Sequence, residues 1–197
     1  PEDEWQALTL SYTSGTSGRP KGVVYHHRGS YLMSFGTVAA WQLGQHPTYL
    51  YTVPMFHCNG WGHAWTMALM AAKIVLTRTI TAEEIFRLID RHMVTHFGGA
   101  PIVLGMLVNA PDEQRPNLSD RTVRAMTAGA PPPASILEKL SAMGFEVMQV
   151  YGLTETYGHV SQCVWREEWN DLPFSEQANL QSWQGVTFPM NEDVAVI

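Results

Sequence analysis

An α/β fold, a mostly parallel sheet flanked by helices, is what this sequence of 197 residues predicts, and three observations carry the prediction. Apolar runs of strand length alternate with helical patterns through most of the chain, as in successive βαβ units. Gly and Pro punctuate the joints between them. Hydrophobic residues make up 45% of the chain and charged residues 15%, a balance that buries a sizeable core and differs from that of a disordered chain.

The elements follow in order. Residues 8–12 read as a first strand, and 25–43 as a helix that ends before Gly44. A second strand over 50–53 is stopped by Pro54, which cannot donate to a ladder, and a loop over 55–60 follows. Residues 61–72 predict a helix and 74–76 a buried strand. The helix over 81–92 carries a capping box in which Thr81 faces Glu84. After a strand over 94–98, Pro101 opens a helix at the position where its missing N–H costs nothing. Residues 110–118, rich in Pro, Asp and Asn, form a surface loop. A strand over 123–127, a helix over 134–143 ended by Gly144, and a strand over 145–150 complete the alternation. The final run, Val194-Ala195-Val196-Ile197, reads as a strand cut off from its partners. With Pro1 in place of an initiator Met, the chain is expected to be part of a longer protein.

Composition excludes several classes of function. The net charge of −6, with no Lys/Arg stripe, leaves no electrostatic footprint for nucleic acid. Two cysteines, Cys58 and Cys163, build no disulfide framework, and no secretory leader is visible, so a cytoplasmic location is expected. The longest apolar stretch, over 65–76, is broken by Thr66 and Lys73 and is too short for a bilayer.

The chemistry concentrates in Thr13-Ser14-Gly15-Thr16-Ser17-Gly18-Arg19-Pro20-Lys21-Gly22, hydroxyls and glycines closed by a cation. Glycines let backbone N–H groups approach an anion, hydroxyls add donors, and Lys21 offsets charge. The NTPase P-loop would need a Gly, four residues, then Gly-Lys-Ser/Thr; that spacing is absent, so this is a different phosphate binder.

Three further stretches follow strands, where open α/β sheets place ligand groups. Pro54-Met55-Phe56-His57-Cys58-Asn59-Gly60-Trp61 offers a histidine that, alone, reads as a hydrogen-bonded loop residue. No second pair completes a metal set with His57, Cys58 and His63. Thr127-Ala128-Gly129-Ala130-Pro131 turns sharply on small residues, either as a plain connection or to admit a flat purine ring. Tyr151-Gly152-Leu153-Thr154-Glu155 supplies a ring that can stack on adenine, a hydroxyl that can donate to an α-phosphate, and a carboxylate that can hold magnesium. As an isolated string it also fits a helix N-terminus capped by Thr154.

Residues 12–22 resemble the phosphate-loop motif of the AMP-forming, adenylate-forming enzymes: acyl-CoA synthetases, luciferases and peptide-synthetase adenylation domains. Tyr151-Gly152-Leu153-Thr154-Glu155 matches the corresponding family motif without a departure. The resemblance implies an ATP site made of Thr13, Ser14, Gly15, Thr16, Ser17, Gly18, Lys21, Gly129, Ala130, Pro131, Tyr151, Gly152 and Thr154. It implies catalytic roles for Lys21, His57, Thr154 and Glu155, with Glu155 also holding Mg2+. His57, Trp61 and Gly185 would sit beside the acyl group. The stretch from Cys163 to Pro173, with Glu176-Gln177-Ala178 and Gln184-Gly185-Val186, resembles the branch of bacterial fatty-acyl and methylmercaptopropionate CoA ligases and their plant relatives. His159, Ala128 and Ser182-Trp183 depart from that branch's pattern.

What the resemblance implies is an enzyme that joins a carboxylic acid, fatty or of short to medium chain, to ATP and passes the acyl group of the adenylate to CoA. The family's ribose-gripping acid and the lysine of its mobile C-terminal domain have no counterpart in these residues. Residues 1–197 are therefore expected to be part of the N-terminal AMP-binding domain and to turn over little by themselves. Two other functions stay open at this level: an adenylation domain that loads an amino acid onto a carrier protein, and a nucleotide-binding module without chemistry.

Overall fold

The computed structural model of the chain describes residues 1–15 and 18–195. Its first two strands, β1 (Ala7–Thr13) and β2 (Lys21–His26), pair antiparallel as a hairpin of their own. Two expectations are corrected here. The strand over 8–12 lies outside the parallel sheet, and the helix expected from residue 25 begins only at α1 (His27–Ala40). Val23, Val24 and Tyr25 are β-branched and aromatic residues that fit a strand once β1 supplies the ladder, and Tyr25 is buried there. His26 then caps α1, its Nδ1 accepting from the Gly29 N–H at 2.9 Å.

The other strands are β3 (Thr48–Tyr51), β4 (Lys73–Leu76), β5 (His96–Gly98), β6 (Val123–Thr127), β7 (Phe145–Leu153), β8 (Gly158–Gln162) and β9 (Val186–Thr187). Among the described residues they form one sheet in the order β4-β3-β5-β6-β7-β8-β9. The members from β4 to β7 run parallel, and β8 and β9 are antiparallel additions. Around the sheet run α2 (Cys58–Trp61), α3 (His63–Leu69), α4 (Ala82–His92), α5 (Pro101–Val108), α6 (Ala134–Ala142) and α7 (Phe174–Gln181).

The two-residue period of the strands sorts side chains into two cores. Leu50, Phe97, Ala125 and Val147 join residues of α4, α5 and α6 on one face. Tyr49, Tyr51, Met126 and Val150 join Met33, Trp41, Met67 and Phe188 on the other. Helices thus cover both faces of the sheet, as expected for α/β. In α4, Ile85, Phe86 and Ile89 are fully buried, each contributing about 1.5–3 kcal/mol.

Several boundaries move. Thr81 caps α4 as predicted, its Oγ1 accepting from the Glu84 N–H at 3.3 Å, but the Glu84 carboxylate holds Arg87 at 2.7 and 2.8 Å and not the Thr81 backbone. The helix expected over 61–72 is interrupted at Gly62, whose φ of 70° is left-handed, so α3 starts at His63. The strand predicted over 145–150 extends three residues further, to Leu153, and turns back through a single 3-10 turn, Thr154–Thr156, into β8. Val194 and Ala195 carry no regular structure, and Val196 and Ile197 lie outside the described residues. Among the described residues no helix is long and apolar enough to cross a membrane.

Candidate active site

Because β3, β5, β6 and β7 are parallel, their carboxyl ends share one edge of the sheet. The His57 loop follows β3, the Gly129 turn follows β6, and the Thr154 turn follows β7. β7 pairs with β6 only as far as Gln149 and then projects beyond it to pair with β8. The phosphate-loop stretch lies outside the parallel sheet, as the connection of the β1–β2 hairpin.

Hydrogen bonds dock that hairpin. Thr9 Oγ1 and Ser11 Oγ donate to Asn59 Oδ1 at 2.5 and 3.2 Å. The Tyr25 hydroxyl donates to the Thr154 carbonyl at 2.6 Å. Cys58 Sγ lies 3.2 Å from Thr154 Oγ1. Hairpin, His57 loop and Thr154 turn therefore meet in one place. The register pairs Thr9 with Tyr25, Ser11 with Val23 and Thr13 with Lys21. Alternation along a strand then puts Thr13 and Lys21 on the hairpin face that carries Thr9 and Tyr25, the face turned toward the Thr154 turn.

Ser14, Gly18 and Lys21 are exposed at the mouth of the hairpin, with Gly15 at a left-handed φ of 66°. Thr16 and Ser17 lie outside the described residues. His57 is exposed at the start of α2, its ring 4.6 Å from that of Phe56 between centroids. Tyr151 and Glu155 are exposed at the end of β7 and in the turn after it. Gly129 takes a φ of 91°, and Ala130 and Pro131 beside it are exposed. No hydrogen bond among the described residues ties this turn to the other loops. Trp61 is half-buried, its ring 6.0 Å from His63 and 6.3 Å from His159 between centroids.

Two candidate glycines have a local reason of their own. A Cβ on Gly152 would run into the Gly158 carbonyl, and one on Gly185 into the Gln162 carbonyl. Each lets two backbones touch where β8 meets its neighbours.

Burial sets the protonation states. It pushes the Tyr25 phenol up, helped by the neighbouring Cys58, Tyr157 and Glu155, so the hydroxyl stays protonated and donates. It pulls His159 down to about 4, and, with the charge of Arg124, His96 also to about 4. His63, buried and facing His159 and His96, is lowered too, and its Nδ1 lies 2.6 Å from the Tyr49 hydroxyl. All three rings are neutral near pH 7. Among the described residues no three His, Cys, Asp or Glu side chains gather as a metal set.

Tyr25, Cys58 and Asn59 hold this junction together, and the sequence reading gave none of them that role. The Asn-Gly pair was the available signal, since Asn tolerates the left-handed backbone that Asn59 adopts at φ 48°, ψ 47°.

The sequence model of the family described as AMP-binding enzyme matches residues 1–197. The chain is similar to an acetate/butyrate–CoA ligase of Arabidopsis thaliana, named as peroxisomal, with 46% identity over the whole chain and 35% of the relative. It is 43% identical to a peroxisomal trans-cinnamate:CoA ligase of Petunia hybrida, over 99% of this chain and 34% of that one. The chain thus spans about a third of the length of the curated relatives it matches. Among solved structures, the N-terminal domain of FACL13 from Mycobacterium tuberculosis superposes with a TM-score of 0.79 at 25% identity, covering 92% of this chain and 43% of that one. The o-succinylbenzoate CoA synthetase of Bacillus subtilis, solved with AMP, shares the fold at a TM-score of 0.75 and 24% identity, over 94% of this chain and 36% of its own. With its full length matched by the family's sequence model, the chain belongs to the AMP-binding enzymes.

Proposed function

We propose that this chain is part of the N-terminal, AMP-binding domain of an ATP-dependent acyl-CoA synthetase, which activates a carboxylic acid as its adenylate and transfers the acyl group to CoA. The observation that carries the reading is the docking of the β1–β2 hairpin on the Thr154 turn and the His57 loop, through Tyr25, Thr9, Ser11 and Asn59. In this reading it brings a donor loop for phosphates toward a hydroxyl, a carboxylate and a histidine. Relatives named for acetate, butyrate and cinnamate favour a carboxylic acid as the acyl donor, short-chain or aromatic, beside the short, medium or fatty chain expected from the sequence.

The physical obstacle is repulsion, because a carboxylate oxygen must attack an α-phosphate already ringed by negative oxygens. In this reading Thr13, Ser14, Gly15, Thr16, Ser17, Gly18 and Lys21 receive the phosphates, and Thr154 donates to the α-phosphate as charge spreads in the transition state. Gly129, Ala130, Pro131, Tyr151 and Gly152 bound the adenine. His57 stands between phosphate and carboxylate, with Trp61 and Gly185 toward the acyl chain. Positioning of the two reactants supplies much of the rest.

Glu155, a lone exposed carboxylate, fits Mg2+, which takes one or two carboxylates, keeps several waters and fills its shell with substrate phosphate oxygens. When bound, the ion neutralises charge on the phosphates. CoA enters as co-substrate, and a C-terminal domain elsewhere in the protein completes turnover. We place the enzyme in the cytoplasm, whereas these relatives are named peroxisomal, and cell fractionation distinguishes the two.

The test is a mass-spectrometric screen for acyl adenylates, with ATP and carboxylic acids of graded length, on the complete protein that carries this chain. Adenylates of aliphatic or aromatic acids are expected. Adenylates of amino acids alone, or none, overturn the reading.

A further inference from the structure

We infer that Cys58 is a positioning residue for adenylate formation: its thiol donates to Thr154 Oγ1 and so leaves the Thr154 hydroxyl proton free to meet the α-phosphate. The inference rests on the adenylate-forming reading above.

Cys58 Sγ is 3.2 Å from Thr154 Oγ1, and by distance alone either atom could donate. The neighbours narrow the choice. Tyr25 donates its one proton to the Thr154 carbonyl at 2.6 Å, and burial together with a side-chain hydrogen bond to Cys58 keeps that phenol protonated, so the thiol meets two hydroxyl oxygens, those of Tyr25 and Thr154, and the Tyr25 proton is already committed. Among the described residues, the contact with Cys58 Sγ is the one hydrogen bond of the Thr154 side chain. The half-buried Thr154 hydroxyl thus meets the thiol and, in the adenylate-forming reading, the bound nucleotide.

A hydroxyl has one proton and two lone pairs, and a thiol sulfur is a weak acceptor. A phosphate oxygen is far stronger, so a bound nucleotide draws the Thr154 proton toward itself. The sulfur then turns donor into the hydroxyl lone pair, and the two bonds in series polarise one another.

The backbone is built to aim this sulfur. Cys58 has a φ of 42° and Asn59 a φ of 48°, consecutive non-glycine residues in the left-handed region. Such a conformation persists only where its surroundings impose it. Here the clamp of Asn59 on Thr9 and Ser11 imposes it, and a Cβ on Gly60, the next residue, would collide with the Tyr51 hydroxyl.

The test uses the complete enzyme. Cys58→Ala should lower kcat for adenylate formation by about five- to tenfold, the equivalent of one hydrogen bond, with KM for the carboxylic acid unchanged. Cys58→Ser, which keeps a donor, should recover to within about twofold of wild type. A second readout is the S–H stretch of Cys58 in the infrared, assigned as the band that Cys58→Ser removes. AMP should move the band to lower frequency, and Thr154→Val should abolish that shift. A Cys58→Ala enzyme as active as wild type, or an S–H band that ignores both AMP and Thr154→Val, overturns the role of Cys58. A wild-type enzyme that makes no adenylate overturns the underlying reading of function instead. Should Cys58→Ala fail to fold, Cys58→Ser and the infrared shift decide the matter.

Discussion

Asn59 Oδ1 accepts the Thr9 hydroxyl at 2.5 Å across 50 residues of chain, and this bond joins the phosphate-loop hairpin to the histidine loop. Ser11 donates to the same oxygen at 3.2 Å. Asn59→Ala removes the shared acceptor and leaves a residue less tolerant of a left-handed backbone, so it should destabilise the chain by about 2 kcal/mol in urea denaturation. Asn59→Gly keeps the backbone accessible and should cost about 1 kcal/mol. Equal costs for the two variants would argue against the backbone part of this account.

Gly152 offers a test of the β7–β8 turn. Its α-hydrogen faces the Gly158 carbonyl where any Cβ would collide with backbone. Gly152→Ala should cost on the order of 3 kcal/mol, because no side-chain rotation relieves the clash. Thermal unfolding of the variant measures it.

Stability should depend on pH through the buried imidazoles. His159 and His96 titrate at about 4 in the folded chain, and His63 is lowered as well. An unfolded histidine titrates near about 6.5. Between those values the unfolded chain binds protons that the folded chain does not. The contribution of these groups is therefore complete above about pH 6.5 and declines as pH falls toward 4, by about 1.4 kcal/mol per pH unit for each histidine. Urea midpoints measured between these limits should fall steadily, and His159→Phe should flatten the slope by one proton.

Catalysis should respond most sharply at the Thr154 turn. Glu155→Ala and Thr154→Val in the complete enzyme should each reduce adenylate formation by about 100-fold or more, as removal of a preorganised charge-stabilising group does elsewhere. Pyrophosphate release measures both. A loss below about threefold for Glu155→Ala would detach the carboxylate from the chemistry.

The 197 residues by themselves should form no acyl-CoA. Robust thioester formation by this chain alone, followed as loss of free CoA thiol, would refute the need for the rest of the protein.

The sequence alone determined the layers of this molecule and the addresses of its chemistry. Runs such as 50–53 and 123–127 and the amphipathic helix over 81–92 are legible because local pattern and burial agree there: Leu50, Ala125, Ile85 and Phe86 are all core. The loops at His57, Gly129 and Thr154 are legible because each follows a parallel strand, and such strands share a carboxyl edge. Pairing was not legible. The β-branched and aromatic character of Val23, Val24 and Tyr25 favours a strand only where a partner exists, and the presence of β1 at hydrogen-bonding distance decided it. Nor could spacing show that Asn59 would meet Thr9 or that Cys58 would meet Thr154, 96 residues apart. Such contacts depend on the closing of long loops of chain, and that closure is a property of the assembled fold, because the energy that stabilises it comes from surfaces brought together only there.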